Sequence, residues 1–184
     1  RLVKDGITLR EDIRIAGVAR EGGGVALTLE GSGKKISGSH LLIATGRAPS
    51  VNNFDLEEAG VEFGRRGIKV DAGLRTTNKR IYAIGDIVGG PQFTHVAGYH
   101  AGIVIRNALF RMPAKVDYSA LPWVTYTDPE LAHVGMKEED ARKKYGSDVE
   151  VVRAKFERND RAISEGDTGG LIKVVARKNG QILG

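Results

Sequence analysis

Ile81-Tyr82-Ala83-Ile84-Gly85-Asp86 is the stretch on which the fold turns. Four near-apolar residues run into Gly-Asp, the pattern of a buried strand that stops abruptly with a carboxylate at its carboxyl end. Ligands of open α/β sheets bind outside such ends. A glycine there lets a ligand approach the backbone, and Asp86 can accept hydrogen bonds from hydroxyl groups. A second run of the same kind, Leu41-Leu42-Ile43-Ala44-Thr45-Gly46-Arg47, lies upstream. One such ending is matched by many plain turns, where the Asp merely caps the next turn. Two in this order and at this separation are far more specific.

Around these runs the periodicity predicts short β segments first. Ile13–Val18 and Val25–Leu29 alternate about the breaker Gly22-Gly23-Gly24, and Gly31–Lys35 turns the chain into a strand ending at Ile43. Gly33-Lys34 is not a phosphate loop, because Lys35 stands where Ser or Thr is required and the glycine spacing is wrong. Further on we expect a short acidic helix around Asp55–Ala59 and a strand at Ile68–Val70. A helix should be capped by Thr94 and run to about Phe110. After Arg111-Met112-Pro113 the pattern changes to a separate α+β unit. Its expected elements are strands Trp123–Tyr126 and Leu131–Val134, helix Lys137–Tyr145, strand Val149–Phe156, and a hairpin joined across Lys178-Asn179-Gly180.

Composition excludes several functions. The net charge of +5 comes from scattered Lys and Arg, with no basic stripe of the nucleic-acid-binding kind. No apolar run approaches a membrane span, and no signal peptide is present. With no cysteine, disulfides and thiolate zinc sites within the chain are excluded. His40, His100 and His133 have no ligand spacing, and His95 and His100 are five apart, so no metal site is expected. Asp128 and Glu130 flank Pro129 as turn formers. The chain starts at Arg1 and ends at Gly184 just after strand-like Gln181–Leu183, and both ends read as cut from a longer polypeptide.

The "LLIATGRAPS" and "IYAIGD" runs together resemble the paired signatures of the flavoprotein pyridine nucleotide-disulfide oxidoreductases. This class I family includes dihydrolipoamide dehydrogenase, glutathione reductase and mercuric reductase. "QFTHVAGYHAG" at residues 92–102 resembles the helix start under the flavin, and "LPWVTYTDPELAHVG" at 121–135 the start of the dimerisation domain, so the likeness covers essentially the whole chain. It implies an α/β fold made of the carboxy-terminal parts of Rossmann-like NAD(P)- and FAD-binding domains, followed by part of an α+β dimerisation domain. The implied boundaries are residues 1–46, 47–116 and 117–184.

The same resemblance implies the cofactors FAD and NAD or NADP. Asp86, with Gly85 before it, would accept a hydrogen bond from the ribityl chain. Gln92, Phe93, Thr94 and His95 would form a helix start aimed at the flavin, where amide N–H groups and the helix dipole stabilise the reduced anion. A packing or flavin-contacting role suits His95 better than acid/base work, since the family's base comes from elsewhere. Gly46 and Ile15 would line the nicotinamide nucleotide, and Arg47 is either a phosphate contact or a surface charge. No catalytic residue is assigned within the chain. The G-x-G-x-x-G fingerprints, the redox cysteine pair and the terminal His-Glu pair all lie outside it, so we expect the chain alone to be inactive. We expect its parent to be a cytoplasmic homodimer acting on a small-molecule or protein disulfide. Gly98 and His100 depart from the acidic helix of dihydrolipoamide dehydrogenases and lean toward mercuric-reductase-like members. The alternatives are an NAD(P)H oxidase or peroxidase of the same fold and a non-catalytic interaction module.

Overall fold

The computed structural model describes residues 2–184. The chain divides into two compact units, the first ending at Arg47 and the second running from Ala48 to Gly184.

The first unit is an antiparallel meander of β1 (Ile15–Glu21), β2 (Gly24–Leu29) and β3 (Lys35–Gly38), with β2 in the middle. The β1–β2 turn is made by Gly22 and Gly23, both at positive φ (57° and 84°), which is the mirror-image turn that suits strand twist and that glycine adopts without strain. Ala26 and Leu29 of β2 are buried, while all of β1 is exposed.

The second unit opens with a turn-rich core segment. A ribbon of β4 (Phe63–Gly64) and β5 (Gly67–Ile68) brings Ile68 against Val61 and Ala83, with Leu56, Phe63, Ile81 and Ile87 packed around them. A hairpin-like loop comes next. Asp71 Oδ1 accepts from the amides of Gly73 (2.8 Å) and Arg75 (3.0 Å), and Arg75 bridges Tyr82. Thr76, buried inside this loop, donates its hydroxyl to the carbonyls of Asn78 (2.9 Å) and Ile81 (3.0 Å). Beyond it lie a 3₁₀ turn at Gly85–Val88 and helix α1 (Thr94–Ala108).

The rest of the unit holds the hairpin β6 (Trp123–Thr125) and β7 (Leu131–His133), helix α2 (Glu138–Tyr145), strand β8 (Val149–Lys155), helix α3 (Asp160–Glu165) and strand β9 (Leu171–Arg177). β8 and β9 form a continuous antiparallel ladder from Val149↔Arg177 to Lys155↔Leu171. Its inner face sets Val149 and Val175 on Ala141 of α2. Its other face carries Val152 and Ile172, both more than half exposed. Among the described residues no helix is long and apolar enough to cross a membrane.

Several expected elements differ. Residues 41–47 form no paired strand, and Leu42 and Ile43 are exposed; β3 ends at Gly38 instead of Ile43. The 81–84 run is extended, but its only strand pairing is the single bridge from Tyr82 to Arg75. A strand is held by its ladder partners, and the described residues offer these runs almost none. Residues 55–59 close one turn, with the Ala59 amide on the Asp55 carbonyl at 3.0 Å, but Asp55 lies at φ 47° and no helix propagates. Phe93, not Thr94, is the N-cap of α1, and it makes no side-chain cap. The short α3 was not expected, although Asn159 caps it onto the Ala162 amide (3.0 Å) and Gly166 ends it at φ 71°.

Replacing Thr76 with Val should cost about 1 kcal/mol, the net worth of a hydrogen bond. The loss stays that small because both carbonyls keep a backbone donor, Ile81 N–H on Asn78 and Thr76 N–H on Ile81. Thr76→Ser should cost less, and urea unfolding of the two variants measures the difference.

Candidate functional site

The extended run buries alternate residues: Ala83 faces the core and Ile84 faces out. At Gly85 the chain leaves the strand direction at φ 70°, and a Cβ there would lie 3.1 Å from Cβ of Ala97 in α1. Glycine is therefore required twice, for its left-handed backbone and for the close approach of the helix. The far end of the turn is locked likewise. A Cβ on Gly89 would meet the Arg66 carbonyl at 2.2 Å, and one on Gly67 would meet the Ile87 carbonyl at the same distance.

This turn presents Asp86 at the surface. Among the described residues its carboxylate has no hydrogen-bond or ion-pair partner, although its carbonyl accepts from the Gly89 amide at 3.1 Å. The turn packs on α1, which begins at Thr94. The first turn of α1 carries no acidic side chain and no side-chain cap, so its leading amides face outward with the positive end of the dipole uncompensated. Phe93 stacks on the His95 ring (5.3 Å between centroids, 19° between planes). His95 Nε2 donates to the Pro122 carbonyl at 2.9 Å. Gln92 is half-buried and Thr94 exposed.

Behind the turn lies His100, with no exposed surface. The Gly85 amide donates to its Nδ1 at 3.0 Å, and its Nε2 meets the Tyr118 hydroxyl at 2.7 Å. A backbone N–H can only donate, so Nδ1 is the bare nitrogen and the ring proton of the neutral imidazole sits on Nε2, facing the Tyr118 oxygen. Burial pushes the His100 pKa down from 6.5, and burial with the neighbouring Tyr99 pushes the Tyr118 phenol up from 10.0.

The structure packs the 3₁₀ turn that carries Gly85 and Asp86 on α1, with Gly85 against Ala97 and His100, and residues 92–95 form the entry to that helix. Ile15 and Gly46 lie in the first unit: Ile15 opens β1 and is half exposed, and Gly46 sits exposed at φ 104° outside any regular element. His100 and Tyr118 were not among the expected site residues. His100 did carry a signal, for it shares with Val96 and Ile103 the i, i+4, i+7 face that is buried in α1. Tyr118 carried none.

Comparison with known proteins identifies the family. The family model for pyridine nucleotide-disulphide oxidoreductases matches residues 1–101, and the model for the dimerisation domain of the same family matches 121–184. The mercuric reductase of Streptomyces lividans is 40% identical across 98% of this chain and 39% of its own length. The dihydrolipoyl dehydrogenase of Geobacillus stearothermophilus is 39% identical across 100% of this chain and 40% of its own. The solved structure of the HOCl-induced flavoprotein disulfide reductase RclA from Escherichia coli superposes with a TM-score of 0.89 at 30% identity, covering 99% of this chain and 42% of that one. The chain spans about two fifths of the length of these relatives.

The buried imidazole sets a pH dependence. Its folded pKa lies below 6.5, so as pH falls past that value the unfolded chain takes up the proton first and stability declines toward the folded pKa. The contribution is complete above 6.5. The hydrogen-bonded carboxylates Glu21, Glu62, Glu138, Asp117 and Asp148 are held below 4.5 or 3.8 and act only in stronger acid. Unfolding free energy should therefore fall as pH drops below 6.5. In His100→Asn that limb should vanish while the acid limb stays, as denaturant titrations across pH will test.

Proposed function

The chain belongs to the pyridine nucleotide-disulphide oxidoreductase family, and we propose that it is part of an FAD-dependent NAD(P)H:disulfide oxidoreductase. The observation that carries this reading is an unpartnered surface carboxylate, Asp86, at the end of the 81–84 run, in a turn packed on a helix whose start has no acidic residues. That donor and acceptor set fits a polyhydroxyl chain attached to a ring that gains negative charge on reduction. When bound, FAD supplies the two-electron relay between the nicotinamide nucleotide and the disulfide acceptor.

In this reading Asp86 holds a ribityl hydroxyl, and Gly85 lets the cofactor come close to the backbone. The amides at Thr94 and His95 face the electron-rich edge of the flavin. Gln92 and the stacked Phe93–His95 pair shape its border, and the His95 bond to Pro122 keeps that ring a wall of the site instead of a proton carrier. Gly46 and Ile15 line the nicotinamide nucleotide. Domain limits of 1–46, 47–116 and 117–184 belong to the same proposal, supported by the first unit's end at Arg47 and the dimerisation match from residue 121. So do a disulfide acceptor, either small molecule or protein, and a cytoplasmic location. The chain contains no cysteine, so the dithiol of such a reaction would come from other parts of the polypeptide.

Asp86→Ala in the full-length protein should weaken FAD binding by about 1–3 kcal/mol, since a hydroxyl partner is lost. Normal flavin content and affinity in that variant would sink the assignment.

The full-length protein should also be a homodimer. The match at 121–184 supports this, as does the open apolar face of the β8–β9 ladder at Val152 and Ile172. Sedimentation as a strict monomer at micromolar concentration would refute it.

A further inference from the structure

Three side chains within two turns of α1 all reach the same downstream segment. His95 Nε2 donates to the Pro122 carbonyl at 2.9 Å. The Tyr99 hydroxyl accepts from the Asp117 amide at 2.8 Å. His100 Nε2 meets the Tyr118 hydroxyl at 2.7 Å. Residues 117–122 lead directly into β6, and the dimerisation match begins among them at residue 121. Of the three, only His100 has a second polar contact on its other side, the Gly85 amide.

We propose that His100 is a positioning residue that holds the Gly85–Asp86 turn in its cofactor-binding geometry and ties that turn, through Tyr118, to the segment entering the dimerisation domain. The proposal rests on the reading of Asp86 as a flavin ligand. The physical case is specific to glycine. Gly85 has the widest backbone freedom of any residue, so its own sterics do not select φ 70°. An external acceptor for its N–H fixes the Ile84–Gly85 peptide from which the turn departs, and the Nδ1 lone pair is that acceptor. Asp86 is the next residue, so the Ile84–Gly85 peptide held by His100 anchors the start of the turn from which its carboxylate emerges. The imidazole is held from both sides in turn. It has no exposed surface, its ring neighbours are Tyr99 (6.1 Å) and Tyr118 (5.9 Å), and its donor nitrogen has one partner. A shift of the 117–118 segment therefore moves the imidazole, and the imidazole moves the turn.

The test uses three variants of the full-length flavoprotein. His100→Leu removes both contacts. His100→Asn keeps an acceptor oxygen near the Nδ1 position and loses the link to Tyr118. Tyr118→Phe keeps the Gly85 contact and cuts only the downstream link. Flavin dissociation constant, visible flavin spectrum, two-electron flavin potential and Tm are measured on each. We expect His100→Leu to weaken flavin binding roughly tenfold or more, the factor that corresponds to one hydrogen bond's worth of about 1.4 kcal/mol. We expect His100→Asn to recover most of that affinity. Tyr118→Phe should shift the flavin potential and spectrum, and should have no further effect when combined with His100→Leu.

Unchanged flavin affinity, spectrum and potential in His100→Leu would overturn the proposal. So would flavin losses that track Tm alone, with Asn no better than Leu. Should His100→Leu fail to fold, the Asn and Phe variants still decide, because a purely structural histidine predicts no spectral or potential shift from Tyr118→Phe. Wild-type protein that takes up no FAD would instead defeat the functional reading itself, and would take this proposal with it.

Discussion

The hydrogen bond from the Gly85 amide to His100 Nδ1 is the contact on which the second unit's candidate site depends. A chain leaving an extended segment must satisfy its first amide without a ladder partner, and a buried amide left alone costs about 1–3 kcal/mol. Here the acceptor is a side chain delivered by the second turn of the next helix. That choice pulls α1 onto the turn until Ala97 lies where a Cβ on residue 85 would be crowded. It also removes His100 from solvent and so keeps it neutral. The other side of the turn is closed by backbone contacts at Gly67 and Gly89, which join it to the β4–β5 ribbon and the Val61–Ile68–Ala83 core. A single sharp bend thus connects core, helix and candidate site.

Features encoded by neighbours in the chain were legible in the sequence. The glycine breaker of the first hairpin, helices α1 and α2, the β8 run and the Asn179-Gly180 turn all appear close to where they were expected. Gly85 and Asp86 do open a turn at the end of the extended run, because a glycine that breaks an extended run is a local signal. What failed depended on partners distant in sequence. Residues 41–47 and 81–84 have strand composition, but a β ladder exists only with the strand beside it. Residues 55–59 have helix-forming side chains, yet the positive φ at Asn53 and Asp55 and the wrap of Leu56 onto the core override propensity. His100 was visible as a residue on the wrong face and invisible as a hydrogen-bond hub, because Gly85 and Tyr118 lie 15 and 18 positions away.

The two longer helices of the second unit solve the dipole problem in opposite ways. α2 opens with Glu138, Glu139 and Asp140 and closes with Arg142, Lys143 and Lys144. Glu138 pairs with Arg142 at 3.0 Å and Glu139 with Lys143 at 2.7 Å. Its termini are neutralised by its own side chains, as suits a helix whose work is packing Ala141 into a core. α1 is nearly twice as long, has no acid in its first turn and no cap from Phe93. Its start is left electrostatically open. Neutralising it would need only one Asp or Glu at residues 92–95, and such a charge would repel any anion approaching the helix start. The turn and the helix start thus leave an open polar surface, a bare carboxylate at Asp86 and leading amides on α1. It becomes complementary when one ligand offers hydroxyls to the carboxylate and an electron-rich ring to the amides, and that pairing of needs is the physical content of the proposed flavin site.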